Sequence, residues 1–152
     1  MEVRQITSAE THGLRHLVLW PHIDQENKCV IDIDDRSDAI HLGTFSGNKL
    51  VAIGSFFQMN SPKLSEQNQY RLRAMASAPL ARGTGAGKLL VRTGIQILKE
   101  KKISVLWCDA RLKATGFYSA LGFQKLEEIY EVPLIGPHQF MWFELQSSGT
   151  SV

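Results

Sequence analysis

The sequence predicts an α/β (α+β) fold, with a central mixed, mostly antiparallel sheet of about seven strands flanked by helices. Three observations carry this. Two strand-like runs, residues 39–45 and 50–57, are joined by Ser46-Gly47-Asn48-Lys49, where glycine and asparagine accept the positive φ of a tight hairpin. A third run, residues 69–77, passes through a glycine cluster into a helical pattern. The periods along the whole chain read β-α-β-β-β-α-β-α-β-β, an order that builds one sheet covered by helices.

In chain order, residues 2–6 alternate polar and apolar as a short strand does. Thr7-Ser8-Ala9-Glu10 has the capping-box form, so a helix is expected over residues 8–19, burying Leu14, Leu17 and Val18 and ending before Pro21. Residues 20–38 have no period and form the most acidic stretch, with Asp24, Glu26, Asp32, Asp34, Asp35 and Asp38. A solvated loop is one reading of it. Metal ligation by Asp34, Asp35 and His41 is a poor match, because a single His among scattered carboxylates lacks ligand spacing, and no metal is expected. After the hairpin, residues 60–68 read as a loop, and the strand at 69–77 stops at Ala78-Pro79 because proline cannot continue a ladder. Residues 103–108 are a buried strand, residues 123–134 and 139–145 are the last two strands with a turn at Gly136-Pro137, and the Ser/Gly/Thr-rich end is a flexible tail. One domain, residues 1–146, with a tail at 147–152 suits a chain of 152 residues.

The glycine cluster is the informative stretch. Leu89, Leu90, Thr93, Ile97 and Leu98 recur at helical spacing, so Gly85 to Gly87 occupy the first turn of a helix. A first turn without side chains exposes unpartnered N–H groups at the positive end of the helix dipole, an anion pocket. The Walker pattern fails at both ends, since position 82 is Arg and position 89 is Leu; the dinucleotide fingerprint fails because position 88 is Lys. Arg82-Gly83-Thr84-Gly85-Ala86-Gly87 instead resembles the acetyl-CoA loop of the GNAT superfamily of N-acetyltransferases, Gln/Arg-x-x-Gly-x-Gly/Ala. A second stretch, Phe117-Tyr118-Ser119-Ala120-Leu121-Gly122-Phe123, resembles that family's Phe-Tyr-x-x-Leu-Gly-Phe signature at the expected distance behind the loop.

The resemblance implies a GNAT-like fold splayed between its fourth and fifth strands, with acetyl-CoA as co-substrate. It implies that the backbone of residues 82–88, namely Arg82, Gly83, Thr84, Gly85, Ala86, Gly87 and Lys88, takes the pyrophosphate. Met75, Ala76 and Ser77 would pair with the pantetheine arm, and Phe117 would lie along the CoA site. Tyr118 corresponds to the tyrosine that many members use as general acid for the departing thiolate. An acidic wall including Asp34 and Asp35 would suit a cationic amine acceptor, and His138 is a candidate on the acceptor side. Some members carry a glutamate base on the fourth strand; this chain has Arg71 and Arg73 there and no carboxylate between Gln69 and Ala78, so the base is unassigned.

The expected activity is acetyl transfer by direct attack of a small-molecule or protein amine in a ternary complex; the alternative is a non-catalytic acyl-CoA-binding sensor. A formal charge of +2 gives no basic stripe for nucleic acid, and no apolar run reaches membrane-spanning length. Two cysteines, Cys29 and Cys108, without metal-type spacing argue against a disulfide framework. A cytoplasmic location is expected, and a homodimer is compatible with the sequence.

Overall fold

The computed structural model of the protein describes residues 1–146; the tail expected at 147–152 lies outside the described residues. The elements are β1 (Glu2–Gln5), α1 (Ser8–Leu14), β2 (Ile40–Ser46), β3 (Lys49–Gln58), β4 (Gln69–Ser77), α2 (Ala86–Glu100), β5 (Val105–Arg111), α3 (Thr115–Ala120), β6 (Gln124–Val132) and β7 (Gly136–Glu144). The strand order is β1-β2-β3-β4-β5-β7-β6. The β4–β5 ladder is parallel, and β1–β2, β2–β3, β5–β7 and β6–β7 are antiparallel. This is the mixed, mostly antiparallel sheet with flanking helices that the element order predicts.

The described residues divide into two compact units, Met1–Phe57 with Leu72–Gly94, and Gln58–Arg71 with the described residues from Ile95 on. In the first, Ile6, Ile53 and Ala76 are buried with Leu14, Val18, Leu19, Phe45 and Leu50 packed against them. The capping box of α1 forms as its sequence requires: Glu10 N–H donates to Thr7 Oγ1 (3.2 Å) and Thr7 N–H to Glu10 Oε1 (2.9 Å). The expected helix over 8–19 is corrected in its second half, which winds as a π-helical turn over Arg15–Leu19. Leu17 is 61% exposed, and the inward positions are Thr11 and Arg15, both at 0%. Apolar spacing misplaced the face because the group that turns inward is a guanidinium with a buried partner, described below.

The inner face of α2 is set by Leu90, Val91, Gly94, Ile95 and Leu98, while Leu89, expected inside, is 36% exposed. Gly94 lies so close to β3 that a Cβ there would stand 2.3 Å from Phe56 Cζ. Glycine was therefore part of the face, and a reading that counts only apolar side chains passes over it.

In the second unit, β5, β7 and β6 form a three-stranded layer with two distinct faces. The register Trp107↔Trp142, Asp109↔Phe140, Arg111↔His138 and Tyr130↔His138 puts these residues on one face, by the period of two. Leu106, Cys108, Met141 and Phe143 point to the other, where Phe143 meets Phe123 (ring centroids 5.5 Å) and Phe123 meets Tyr118 of α3 (5.2 Å). Two expectations shift here. The strand expected at 103–108 runs on to Arg111, carrying Asp109 and Arg111 within it, and the last turn falls at residues 133–135 rather than at Gly136-Pro137, which open β7. Leu134, with φ 70°, supplies the left-handed residue of that turn.

Candidate active site

The glycine loop has the conformation its sequence requires. Gly83 and Gly85 have φ of 80° and 89°, and a Cβ at either would meet nothing within 4 Å, so it is the left-handed backbone and not crowding that demands glycine. The helical ladder opens with Leu89 N–H donating to Gly85 O (2.9 Å). The preceding N–H groups, from Ala86 to Lys88, are those that a helix leaves without internal acceptors. Arg82, Gly83, Thr84 and Gly85 are exposed, Ala86 and Gly87 are buried, and the Thr44 hydroxyl donates to Ala86 O (2.9 Å), which fixes the first turn on β2. A hollow of about 340 Å³ lies beside the loop, lined by Lys49, Val51, Ala78, Leu80 and Thr84 among others.

On β4, Met75 and Ser77 are half-buried and Ala76 is buried. Ala74 has φ 54°, a left-handed value inside a strand, which breaks the regular alternation just before these residues. The parallel ladder between β4 and β5 consists of Gln69↔Val105, Tyr70↔Leu106 and Arg71↔Trp107, and ends there.

Tyr118 is 6% exposed, edge-on to Phe117 (5.0 Å), which is itself half-buried. Burial, with Cys108 nearby, pushes its phenol well above the ordinary value. With reference values of about 10 for a phenol and about 8.5 for a thiol, proton transfer to a departing thiolate is uphill by about 1.5 units, or about 2 kcal/mol, and burial increases that cost.

Of the acidic pair, Asp34 is not on the surface, which corrects its expected place in an acceptor wall. It is 6% exposed and takes a two-pronged contact from Arg15, Nη1 to Oδ2 and Nη2 to Oδ1, each 2.8 Å. Ile31 N–H also donates to Oδ2 (2.8 Å). Burial pushes the Asp34 carboxyl up, but the Arg15 and Ile31 hydrogen bonds and the charges of Arg15 and His41 outweigh it and hold it below the ordinary range. Arg15 Nη2 donates to Ser55 Oγ (3.0 Å), Ser55 Oγ lies 2.8 Å from His41 Nδ1, and His41 Nε2 donates to Asp34 O (2.9 Å). Asp35 is exposed and accepts from Ser8 Oγ (3.1 Å).

A second polar cluster, of which sequence reasoning noted only Arg71 and His138 and assigned neither to it, lies on the face of the second unit's strands that carries Trp107 and Phe140. Arg71 Nη2 donates to Asp109 Oδ2 (2.9 Å), the Tyr130 hydroxyl donates to Asp109 Oδ1, and the Arg71 guanidinium lies 4.9 Å from the Trp107 ring. Burial first, then the bond to Asp109, raises the Tyr130 phenol above its ordinary value. His138 is 6% exposed and its ring stacks on Tyr130 (6.3 Å, 26° between planes). The signal that would have pointed here is the polar pair Asp109 and Arg111 continuing an otherwise apolar strand.

A glycine loop feeding a helix, a broken fourth strand and a short parallel ladder to the fifth are the parts of an acyl-CoA-dependent transferase, and the comparison agrees. The chain belongs to the acetyltransferase (GNAT) family, whose model matches residues 3–123. It is accordingly an acyltransferase enzyme, of a family that works with a coenzyme A-based co-substrate and amine acceptors. It is 35% identical over 148 residues to the uncharacterized N-acetyltransferase YitI of Bacillus subtilis (strain 168), covering 97% of this chain and 99% of that one. Two solved structures share its fold. An aminoglycoside 6'-N-acetyltransferase complexed with coenzyme A matches at TM-score 0.75 and 12% identity, covering 96% of this chain and 98% of that one. The ribosomal-protein-S18-alanine N-acetyltransferase from Escherichia coli matches at TM-score 0.75 and 15% identity, covering 99% and 97%. No helix among the described residues is long and apolar enough to cross a membrane.

Proposed function

We propose that residues 1–146 act as one N-acetyltransferase domain that moves an acetyl group from acetyl-CoA to a primary amine by direct attack in a ternary complex. The observation that carries this is the glycine loop: two left-handed glycines present an exposed, side-chain-free backbone at the start of α2, where the orphan N–H groups and the helix dipole suit a pyrophosphate. In this reading residues 82–88 hold the phosphates, and the backbone of Met75, Ala76 and Ser77 holds the pantetheine arm. Phe117 borders the CoA site, Tyr118 supplies the proton to sulfur, and Asp35 and His138 belong to the acceptor side. Of the two solved structures that share the fold, one is an aminoglycoside N-acetyltransferase and the other a ribosomal-protein-alanine N-acetyltransferase, which supports an amine acceptor without choosing its size. Cytoplasmic action on such an acceptor, small or protein-borne, completes the proposal.

The test is thiol release from acetyl-CoA across a broad amine panel, with Gly85→Glu alongside. Turnover with at least one amine is expected, together with a loss of acetyl-CoA affinity of tenfold or more in the variant, because a carboxylate then fills the anion pocket and a Cβ strains φ 89°. Tight binding with no turnover on any amine would replace the enzyme by a sensor, and wild-type affinity in a folded Gly85→Glu protein would move the phosphates elsewhere.

A further inference from the structure

We infer that His138 is the general base of the transfer, with Tyr130, Asp109 and Arg71 as its positioning residues; this rests on the acetyltransferase reading above. Nδ1 of His138 lies 2.8 Å from Gly136 O, and since a carbonyl only accepts, Nδ1 carries the hydrogen. The neutral ring then has its lone pair on Nε2. No described residue bonds that nitrogen, and it is absent from the sealed, unpartnered polar atoms, which are His12 Nε2, Arg15 Nε and Arg71 Nε. His138 is 6% exposed and fixed in one tautomer, and the one atom that can take a proton has no partner among the described residues.

Its surroundings hold it in that pose. Tyr130 stands opposite His138 across β6–β7 and Arg111 opposite it across β5–β7, so the imidazole sits between them on one face. The Tyr130 ring stacks on it, the Tyr130 hydroxyl is held by Asp109, and Asp109 is held by Arg71. Arg71 is the last rung of the β4–β5 ladder, so its ion pair to Asp109 fixes the strand just where pairing stops. The charged and titratable groups around the ring are Arg111 from β5, Tyr130 from β6, Asp109 through Tyr130, and Lys63, whose ammonium lies 4.7 Å from the Tyr130 ring and 5.1 Å from that of Phe140. Gln69 ties down the segment that carries Lys63, accepting from Ser61 N–H (2.7 Å) and donating to Glu66 O (2.8 Å).

The step balances. The amine lone pair forms the C–N bond at the thioester carbonyl, its N–H proton passes to His138 Nε2, and the C–S bond breaks with its electron pair on sulfur. The thiolate takes its proton from Tyr118, the phenolate regains one from solvent, and the imidazolium releases the amine's proton to solvent. This supplies the base that β4, with Arg71 and Arg73, lacks.

The deciding variant is His138→Asn, because an asparagine amide can reproduce the Nδ1–H bond to Gly136 O and has no basic nitrogen. With an amine acceptor from the panel, kcat should fall about a hundredfold to ten-thousandfold while acetyl-CoA affinity by calorimetry stays within about twofold. The acid limb of the wild-type pH profile should vanish in the variant; a limb due to the acceptor amine would persist in both. Tyr130→Phe keeps the stacked ring and should cost about tenfold in kcat, with no change in acetyl-CoA affinity. A His138→Asn enzyme with kcat within threefold of wild type and its acid limb intact would overturn the assignment, as would a loss of acetyl-CoA binding equal to the loss of rate. If the wild type turns over no amine at all, the acetyltransferase reading fails and takes this one with it.

Discussion

Arg15–Asp34 and Arg71–Asp109 are built from the same two side chains at nearly the same distance, 2.8 and 2.9 Å, yet the first pair is 0% and 6% exposed and the second 23% and 27%. Around the first, the guanidinium also reaches Cys29 O and Ser55, while both nitrogens of His41 are satisfied, so the cluster ends within itself. Around the second, the chain of contacts runs from Arg71 through Asp109 and Tyr130 to His138 and ends on an unpartnered nitrogen. A sealed network contributes to the fold, because its polar atoms, Arg15 Nε apart, are taken up by one another. An open one leaves a site for chemistry, at the cost of weaker, water-screened ion pairing.

Removing one charge from each pair breaks the comparison most directly. Asp34→Ala leaves the Arg15 charge buried and uncompensated and should destabilise the fold by about 3 to 5 kcal/mol in urea titration; a loss below about 1 kcal/mol would show that the network relaxes and admits water. The same pair sets an acid response. Because the Asp34 carboxyl is held below its unfolded value of about 3.9, the stability it contributes is complete above that pH and is lost as the pH falls through the folded value, lower still. The wild type should therefore lose urea stability steeply below about pH 4, whereas Asp34→Asn, already less stable at pH 7, should show a shallower decline. Asp109→Asn should cost at most about 1 kcal/mol of stability, since its pair is partly solvated, but should lower kcat about tenfold by freeing the Tyr130 ring. Equal stability losses at Asp34 and Asp109 would erase the distinction between a closed and an open network.

Which parts were legible in the sequence follows from the range of the interactions that decide them. The glycine loop, the capping box at Thr7 and Glu10, and the hairpin at Gly47-Asn48 are decided by neighbours within a few residues, and each was read from the sequence. Arg15 finds Asp34 and Arg71 finds Asp109 across 19 and 38 residues, with no periodic signal to announce either pairing. Hence Leu17 was expected inside, Asp34 was expected on a wall, and the strand holding Asp109 was ended one residue short of it. His138 was visible as a histidine near a turn; what singles it out, a fixed tautomer with one free nitrogen, depends on a carbonyl two residues away and a ring on another strand.

Both thiols of the chain are sealed, Cys29 at 0% and Cys108 at 2% exposure, and burial pushes each one's ionisation upward. A colorimetric disulfide reagent added to the folded protein should therefore find no background signal from the polypeptide and register only coenzyme A set free by turnover. In denaturant the same reagent should count two thiols per chain as they emerge, so one dye serves as clock for catalysis and as reporter of unfolding.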